Sequence, residues 1–447
     1  MRTLLRRRKV RGQWKIRVRP APIRTRMNRI FFVNRYFHPD VSATSALVSD
    51  LAFDLATERQ VYVITSQQCY DNPKFRLPAA EIIQNVHITR MPATQFGRAR
   101  LIGRAIDYLS FYAAAWRALR NLVQRDDVVV AMTDPPLLSI VAMQAARRRG
   151  AHLINWLQDI YPEVAVELGV PLIRGPVRSG LSHLRDQTLR SAAANVVVGQ
   201  RMAEKIASRG VASCYVHVIP NWTEDDQISP MANADNPLRQ EWGLVDKFVI
   251  GYSGNLGRAH EFETVLRAAE RLRCYPHIVF LFVGGGHRMS ELAQIVKARG
   301  LSSTFRFFPY QDRANLKHSL TVPDLHWISL RPSVEGMIVP SKLYGIAAAG
   351  RPTIAIMARD GEIARLVREH ECGIVIEPGH AEELADTLLW LSTDRQSLVA
   401  MGSRARAMLE AHFSRRQALD RWRKVLTQAE QTSTSTRAIQ NRAAELA

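Results

Sequence analysis

The chain has 447 residues, of which 47% are hydrophobic and 23% are charged. This balance is typical of a folded globular protein and excludes a disordered chain, and the length favours two domains. The four cysteines are scattered without a CxxC pair, which argues against a disulfide framework or a zinc site. No apolar run approaches the roughly 20 residues that span a bilayer, so we expect a soluble or peripheral protein.

The net charge of +20 is concentrated at the amino terminus. Residues 1–26 contain 11 Lys and Arg residues and no Asp or Glu, which predicts a disordered basic arm. The stretch lacks the apolar core of a signal peptide, so we expect a cytoplasmic chain. Three interpretations stay open: an arm that binds nucleic acid, an arm that docks on anionic lipid, or a stretch that precedes a true start at Met27.

From residue 29 onward, β-rich apolar runs alternate with helical periodicity. Leu47, Leu51 and Leu55, for example, recur at the spacing of one helix face. In the first half we predict strands at 30–33, 61–65, 128–133, 152–157, 195–199 and 216–220. Strands that alternate with helices indicate βαβ units and a mostly parallel sheet.

The alternation stops at residues 223–237, which are polar, contain two prolines and predict a linker. It restarts with predicted strands at 248–252, 277–283, 304–308, 324–329, 352–357 and 373–377. The sequence therefore predicts an α/β fold of two Rossmann-like domains, at 27–222 and 238–412. Open parallel sheets bind ligands beyond the carboxyl ends of their strands, so a cleft between two such sheets can hold two substrates.

Residues 101–119 are mostly apolar but include Arg104, Asp107 and Arg117. This pattern predicts an amphipathic helix. Two interpretations stay open, a helix packed on the sheet and a helix that faces a membrane.

Two glycine-rich turns follow predicted strands of the second domain. The first is 254–257 (GNLG), with Arg258 next and a helix predicted from about His260; the second is 284–286 (GGG). Glycines let backbone amides approach a phosphate, the helix terminus adds partial positive charge, and the arginine adds a full charge. Plain tight turns would also explain both clusters.

A third element starts at Glu335 and continues through Lys342 into a small-residue helix that ends at Gly350. A cation near a helix amino terminus opposes the macrodipole, so Lys342 suggests an anionic ligand nearby. Glu335 is an acceptor suited to sugar or ribose hydroxyls. Surface solvation would explain each residue singly.

Six motifs carry a family resemblance. They are NRYFHPD at 34–40, WLQDIYPE at 156–163, IPNW at 219–222, YSGNLGR at 252–258, PSKLYG at 340–345 and GIVIEPG at 373–379. Through them the chain resembles glycosyltransferase family 4, of the GT-B fold, over about residues 27–426. It is most similar to the colanic-acid and O-antigen type of bacterial transferases.

The resemblance implies a retaining transferase whose second domain binds a nucleotide-diphosphate sugar and whose first domain binds the acceptor. Because Arg258, Lys342 and loop amides can stabilise the diphosphate and no DxD motif stands in a convincing place, we expect it to need no metal. It requires no cofactor. The residues implied for the donor are Gly254, Asn255, Gly257, Arg258, Gly284, Gly285, Glu335 and Lys342. The catalytic candidates are Asp159, Glu163, Arg258 and Lys342. Residues 413–430 resemble the terminal helix that returns to the first domain, and 431–447 are expected to form a flexible tail.

The chain departs from the family pattern at two places. Many members carry two glutamates eight positions apart, but Leu343 stands eight after Glu335, and in a Pro-x-Lys-x-x-Glu alignment the glutamate would fall on Gly345. The chain therefore has no glutamate at the position that is credited with a ribose contact in the family. Many members also have a histidine where this chain has Gln158, which leaves Asp159 and Glu163 as the available carboxylates.

The expected partners are the nucleotide sugar, a lipid-linked saccharide acceptor and the anionic cytoplasmic face of the cell membrane, but not nucleic acid. Two rival functions stay open. One is a nucleotide-sugar epimerase, which shares the two-domain architecture. The other is a basic nucleic-acid-binding protein, although no aromatic–basic recognition motif accompanies the charge.

Overall fold

The computed structural model describes residues 9–10, 13–14, 28–40, 42–70, 75–96, 101–223 and 225–445. For 9–10, 13–14, 101 and 432–445 it describes the backbone alone. Within the predicted basic arm, two short strands pair antiparallel, β1 (Lys9–Val10) and β2 (Gln13–Trp14). The rest of that arm lies outside the described residues.

The first domain is built on an eight-stranded sheet of order β10-β9-β8-β7-β3-β4-β6-β5. Its pairs are parallel except β5 with β6. The strands are β3 (Ile30–Val33), β4 (Val61–Ser66), β5 (Ala80–Ile83), β6 (Val86–Met91), β7 (Val128–Ala131), β8 (His152–Leu157), β9 (Ala194–Val197) and β10 (Val216–Val218). The helices are α1 (Ala43–Leu55), α2 (Leu101–Leu122), α3 (Leu138–Arg149), α4 (Glu163–Glu167), α5 (Gly175–Ser191) and α6 (Gln200–Ala207).

The second domain is built on a six-stranded, fully parallel sheet of order β13-β12-β11-β14-β15-β16. The strands are β11 (Phe248–Asn255), β12 (Ile278–Gly285), β13 (Phe305–Phe308), β14 (Leu325–Ser329), β15 (Thr353–Ile356) and β16 (Gly373–Ile376). The helices are α7 (Pro237–Glu241), α8 (Glu263–Arg271), α9 (Met289–Ala298), α10 (Leu316–Thr321), α11 (Lys342–Ala348), α12 (Glu362–Glu369), α13 (Ala381–Thr393) and α14 (Arg395–Met408).

The predicted linker segment lies against the second domain. Ile228 is buried in the same apolar cluster as residues of α11. The guanidinium of Arg351 donates to the carbonyl of Met231 and to the Oδ1 of Asn233. These contacts fix the path of the connection between the domains.

The last helix, α15 (Arg415–Glu445), returns to the first domain after a π-helical turn at Leu409–Phe413. The indole of Trp422 packs edge-on against that of Trp156 in β8, with 4.6 Å between ring centroids. The guanidinium of Arg415 donates to both carboxylate oxygens of Asp50 in α1. The helix runs through the stretch from 431 that we predicted as a flexible tail, up to Glu445.

All twelve predicted strands are present, with ends that differ by up to three residues. The prediction omitted the hairpin of β5 and β6, whose turn places Gln84 and Asn85 at positive φ. Strand β6 alternates buried and partly exposed side chains, which is the period of a half-buried strand. In the part of the chain that is described, no helix is both long and apolar enough to cross a bilayer.

Candidate active site

The two glycine-rich turns lie side by side because β11 and β12 pair in register through Gly254↔Gly284 and Asn255↔Gly285. Gly284 has a φ of 137°, and a Cβ there would lie 2.4 Å from the carbonyl oxygen of Gly254. A Cβ at Gly286 would lie 2.6 Å from the backbone nitrogen of Leu256 and 2.3 Å from the Oδ1 of Asn255. Glycine is therefore required at both positions by close backbone approach, beyond its use in a turn.

The helix after the first turn starts later than predicted. It begins at Glu263 rather than near His260. The preceding residue, Phe262, has a φ of −138° and a ψ of −2°, which is not a helical conformation. Gly257 lies beside the side chains of Asn255 and His260 without crowding. Arg258 is exposed, and its Nη2 lies 3.3 Å from the Nε2 of His287 just beyond the second turn.

Lys342 is the first residue of α11 and lies over the Gly254 turn. A Cβ at Gly254 would lie 3.3 Å from the Cε of Lys342, and the ammonium lies 5.1 Å from the centroid of the Tyr252 ring. Burial lowers the pKa of Lys342 to about 8. The lysine thus brings a cation to the backbone of the glycine turns.

His260 is a neighbour of this cation that the sequence analysis did not identify as a site residue. Its Nδ1 lies 2.8 Å from the carbonyl oxygen of Ser329, and its Nε2 lies 3.4 Å from the Nζ of Lys342. Burial and the charge of Lys342 lower the pKa of His260 to about 3, so the imidazole is neutral. We assign Nδ1–H as donor to Ser329, which leaves Nε2 to accept from the ammonium.

Glu335 lies at the boundary between the two domains. Its Oε1 accepts from the backbone N–H of Glu362, at 2.9 Å, and of Gly336. Its Oε2 is buried and has no hydrogen-bond partner among the described residues. Burial raises the pKa of this carboxyl group. Glu362 in turn accepts from the backbone N–H of Arg201 in α6, which links the domains.

Asp159 follows β8 and meets the loop that carries Glu335. The backbone of Ile338 forms isolated β-bridges with Asp159 and with Glu335. The backbone N–H of Ile160 donates to the carbonyl of Met337 at 2.9 Å. Burial, followed by the charge of Asp134, raises the pKa of Asp159 to about 6. Two carboxyl groups with raised pKa values, one from each domain, therefore border the same loop.

Glu163 is placed differently from our prediction of an available carboxylate. Its two oxygens accept from the guanidinium of Arg185 at 2.7 and 2.9 Å, and Arg209 donates to it at 3.0 Å. Burial alone would raise the pKa of Glu163, but the bonds and charges of the arginines outweigh it and lower the pKa. Because its partners lie on other elements, the sequence did not reveal this ion pair.

Gln158, which stands where many family members have histidine, is held in the core. Its amide exchanges hydrogen bonds with that of Asn221, at 2.8 and 3.0 Å. Trp222, which follows Asn221, donates from its indole N–H to the carboxylate of Asp50 at 2.7 Å, and its ring stacks on that of Trp156. The IPNW motif thus joins β8 to α1 and orients the segment that carries Asp159.

Two α/β domains with mostly parallel sheets that face each other across a cleft, and a last helix that returns to the first domain, are the architecture of the GT-B fold. The predicted fold class is confirmed. Residues 43–222 match the model of the glycosyl transferase 4-like domain, and residues 235–408 match that of glycosyl transferases group 1. The chain belongs to glycosyltransferase family 4.

Curated relatives with similar sequences are named as glycosyltransferases, one of them of colanic acid biosynthesis. The putative colanic acid biosynthesis glycosyl transferase WcaI of Escherichia coli is 31% identical over 246 residues, which are 54% of this chain and 60% of WcaI. The probable glycosyltransferase WbjE of Pseudomonas aeruginosa is 26% identical over 66% of this chain and 73% of WbjE.

Solved structures share the fold at lower identity. Sucrose-phosphate synthase from Thermosynechococcus elongatus superposes with a TM-score of 0.70 at 17% identity, over 92% of this chain and 100% of the synthase. HepE from Anabaena, in complex with UDP-glucose, gives a TM-score of 0.65 at 17% identity, over 91% of this chain and 99% of HepE.

Proposed function

We propose that the chain moves a sugar from a nucleotide-diphosphate donor to a polyprenyl-linked saccharide, with retention at the anomeric carbon and without a metal. The observation that carries this proposal is Lys342, which lies over the Gly254 turn with its pKa lowered to about 8. A buried lysine that stays largely protonated at neutral pH needs an anion to offset its desolvation. The diphosphate of the donor supplies that anion.

The leaving diphosphate gains negative charge as the glycosidic bond breaks. Lys342, Arg258 and the amides of the glycine turns would stabilise this charge, which is the role a divalent cation plays in other transferases. His260, neutral and fixed by Ser329, keeps the ammonium of Lys342 in place. Hydroxyl groups of the donor's ribose or sugar would donate to the Oε2 of Glu335, which has no partner among the described residues.

Asp159 would orient the acceptor hydroxyl on the opposite side of the cleft. In a retaining reaction of this kind, the attacking hydroxyl passes its one proton to the leaving phosphate, so Asp159 would orient the acceptor sugar by accepting from a neighbouring hydroxyl group and would not remove the proton. This role needs the ionised carboxylate. Its position beside Ile338 brings it next to the loop of Glu335 in the donor domain.

A lipid-linked acceptor requires that the enzyme visit a membrane surface. Helix α2 supports this, because Ile102 and Leu109 are 71% and 64% exposed and lie on one face of the helix. Leu172 and Val177, at the start of α5, add exposed apolar surface beside Arg174 and Arg178. We propose that these segments, with the basic arm of residues 1–26, contact anionic lipid.

The reaction can be tested with labelled nucleotide sugars and polyprenyl-diphosphate-linked acceptors. Turnover should survive EDTA, and NMR of the product should show the anomeric configuration of the donor. Loss of turnover in EDTA that magnesium or manganese restores would contradict metal independence. A product of inverted configuration would contradict retention.

A further inference from the structure

Three strands of the first domain end at one edge of the sheet with polar side chains. Arg35 follows β3, Asp134 follows β7 and Asp159 follows β8. The backbone N–H of Arg35 donates to the carbonyl of Asp134 at 2.8 Å, and that of Gln158 donates to the Oγ1 of Thr133 at 3.3 Å. These bonds hold one guanidinium and two carboxyl groups in neighbouring loops at the edge where α/β sheets bind ligands.

The guanidinium of Arg35 is only partly used within the protein. The residue is 6% exposed, its Nη2 donates to the Oε1 of Gln68 at 3.0 Å, and its Cζ lies 5.4 and 5.3 Å from the ring centroids of Tyr36 and Tyr108. Its Nε is buried without a hydrogen-bond partner among the described residues. A buried donor that lacks an acceptor is costly, so we expect a ligand to supply one.

Two tyrosine hydroxyls border the same edge, and both residues are half-buried. Burial raises the pKa of Tyr108, in α2, and the charge of Asp134 raises it further. Burial also raises the pKa of Tyr161, and the charge of Asp159 adds to that effect. Each phenol therefore lies in the field of one carboxyl group, and both lie near the cleft side of the first domain.

We propose that Arg35, Tyr108 and Asp134 form the subsite that binds the acceptor sugar next to Asp159. This inference rests on the proposed function. Sugar hydroxyls can donate to a carboxylate and accept from a guanidinium or a phenol, and the set offers both kinds of group. Hydroxyl groups both donate and accept, whereas ionised phosphates only accept, so a set with carboxylate acceptors suits the sugar of the acceptor better than its phosphates.

The test measures binding of octyl β-glucoside, octyl β-galactoside and octyl α-mannoside to the full chain by saturation-transfer NMR, below their micelle concentrations and without donor. The wild-type chain should bind at least one of them. Asp134→Asn and Tyr108→Phe should each weaken the Kd by roughly 5- to 30-fold. Tyr275→Phe is the matched control, because this tyrosine is exposed and lies in the second domain; the Kd of this variant should change less than twofold.

The subsite would be overturned if the wild-type chain bound none of the three glycosides. It would also be overturned if all variants bound them equally well with unchanged melting temperatures. A second arm measures transfer from UDP-glucose and GDP-mannose to the bound glycoside. There Asp134→Asn and Tyr108→Phe should raise the acceptor KM and leave the donor KM within twofold. If the glycosides bind as expected but neither donor turns over, the set stands as a sugar-binding site, and transfer to it from these two donors is contradicted.

Discussion

Asp159 and Lys342 are two residues whose burial moves a pKa toward neutrality, to about 6 and about 8. In the proposed reaction, Asp159 orients the acceptor as the ionised carboxylate, and Lys342 binds the diphosphate best when protonated. We therefore predict that kcat/KM is bell-shaped, falling below about pH 6 and above about pH 8. In Asp159→Asn the residual kcat/KM should lose its acidic limb and keep the alkaline one. An acidic limb that persists in this variant would assign it to another group.

The stability of the fold should respond in opposite directions to Asp159 and Glu163. The pKa of Asp159 is raised from 3.8, so its ionisation destabilises the fold as the pH rises toward 6. Asp159→Asn should therefore stabilise the protein at pH 8 by about 2 kcal/mol after a discount for partial exposure, and by less at pH 5.

Glu163→Gln is the counterpart of this variant, because the pKa of Glu163 is lowered and its ion pair stabilises the fold above the ordinary carboxyl pKa. The change should destabilise the protein at pH 8 by about 1–3 kcal/mol. Urea unfolding at the two pH values measures both. Shifts of the same sign would show that the two carboxyl groups do not differ in environment.

The sequence allowed prediction of those candidate site residues whose pattern is local. Glycine turns after strands and a lysine at a helix start follow from spacing alone, and the structure brings Gly254, Gly284 and Lys342 together. It could not reveal His260 as the partner of Lys342, because that contact joins residues 82 positions apart. The ion pair of Glu163 was missed for the same reason.

Among the elements, α15 stabilises the first domain by covering its sheet with a tryptophan. Trp422 is fully buried against Trp156 and the core of β3, β7 and β8. Trp422→Ala should destabilise the protein by about 3–5 kcal/mol in urea unfolding. The matched control is Trp390→Ala in α13, which is 49% exposed and should cost less than about 1 kcal/mol. Similar losses in both would mean that α15 does not support the first domain.

We predict that the exposed apolar face of α2 contributes to binding of anionic membranes. Wild-type protein should sediment with phosphatidylglycerol vesicles at low salt, less at high salt, and little with phosphatidylcholine. The double change Ile102→Ser and Leu109→Ser should weaken binding about tenfold or more, because two exposed side chains no longer enter the lipid. Deletion of residues 1–26 should weaken it only partly.

The control for this experiment is the pair Val245→Ser and Val399→Ser, which are similarly exposed but lie in the second domain. It should leave vesicle binding unchanged. Negligible wild-type binding to both lipids would contradict the proposed membrane contact.

Element type was predictable where apolar runs and flanking turns agreed, as in β3 and β11. The hairpin of β5 and β6 was missed although its signals are local: Asn85 in a two-residue turn, then alternating side chains in β6. The start of α8 was placed too early. His260 and Glu261, just before the helix, contact Ser329, and the helical spacing of apolar residues cannot reveal such a contact.

In the whole molecule, the two domains meet through the loop that carries Glu335. The Glu335 carboxylate accepts from the start of α12, the Glu362 carboxylate accepts from the start of α6, and Arg201 forms an ion pair with Asp360. The repeat of the α/β pattern predicted two facing sheets. The side chains that join them could not be predicted, since they are distant in sequence and polar on both sides.

The most direct test of the central claim is sugar transfer from labelled nucleotide sugars to a polyprenyl-diphosphate-linked acceptor, compared between the wild-type chain and single variants. Lys342→Ala and Arg258→Ala should each lower kcat/KM roughly 30- to 1,000-fold, with the fold intact. This corresponds to a loss of about 2–4 kcal/mol of transition-state stabilisation. Arg267→Ala, an exposed arginine of α8, should have no effect. Transfer at the wild-type rate by both Lys342→Ala and Arg258→Ala would contradict a diphosphate site at the glycine turns.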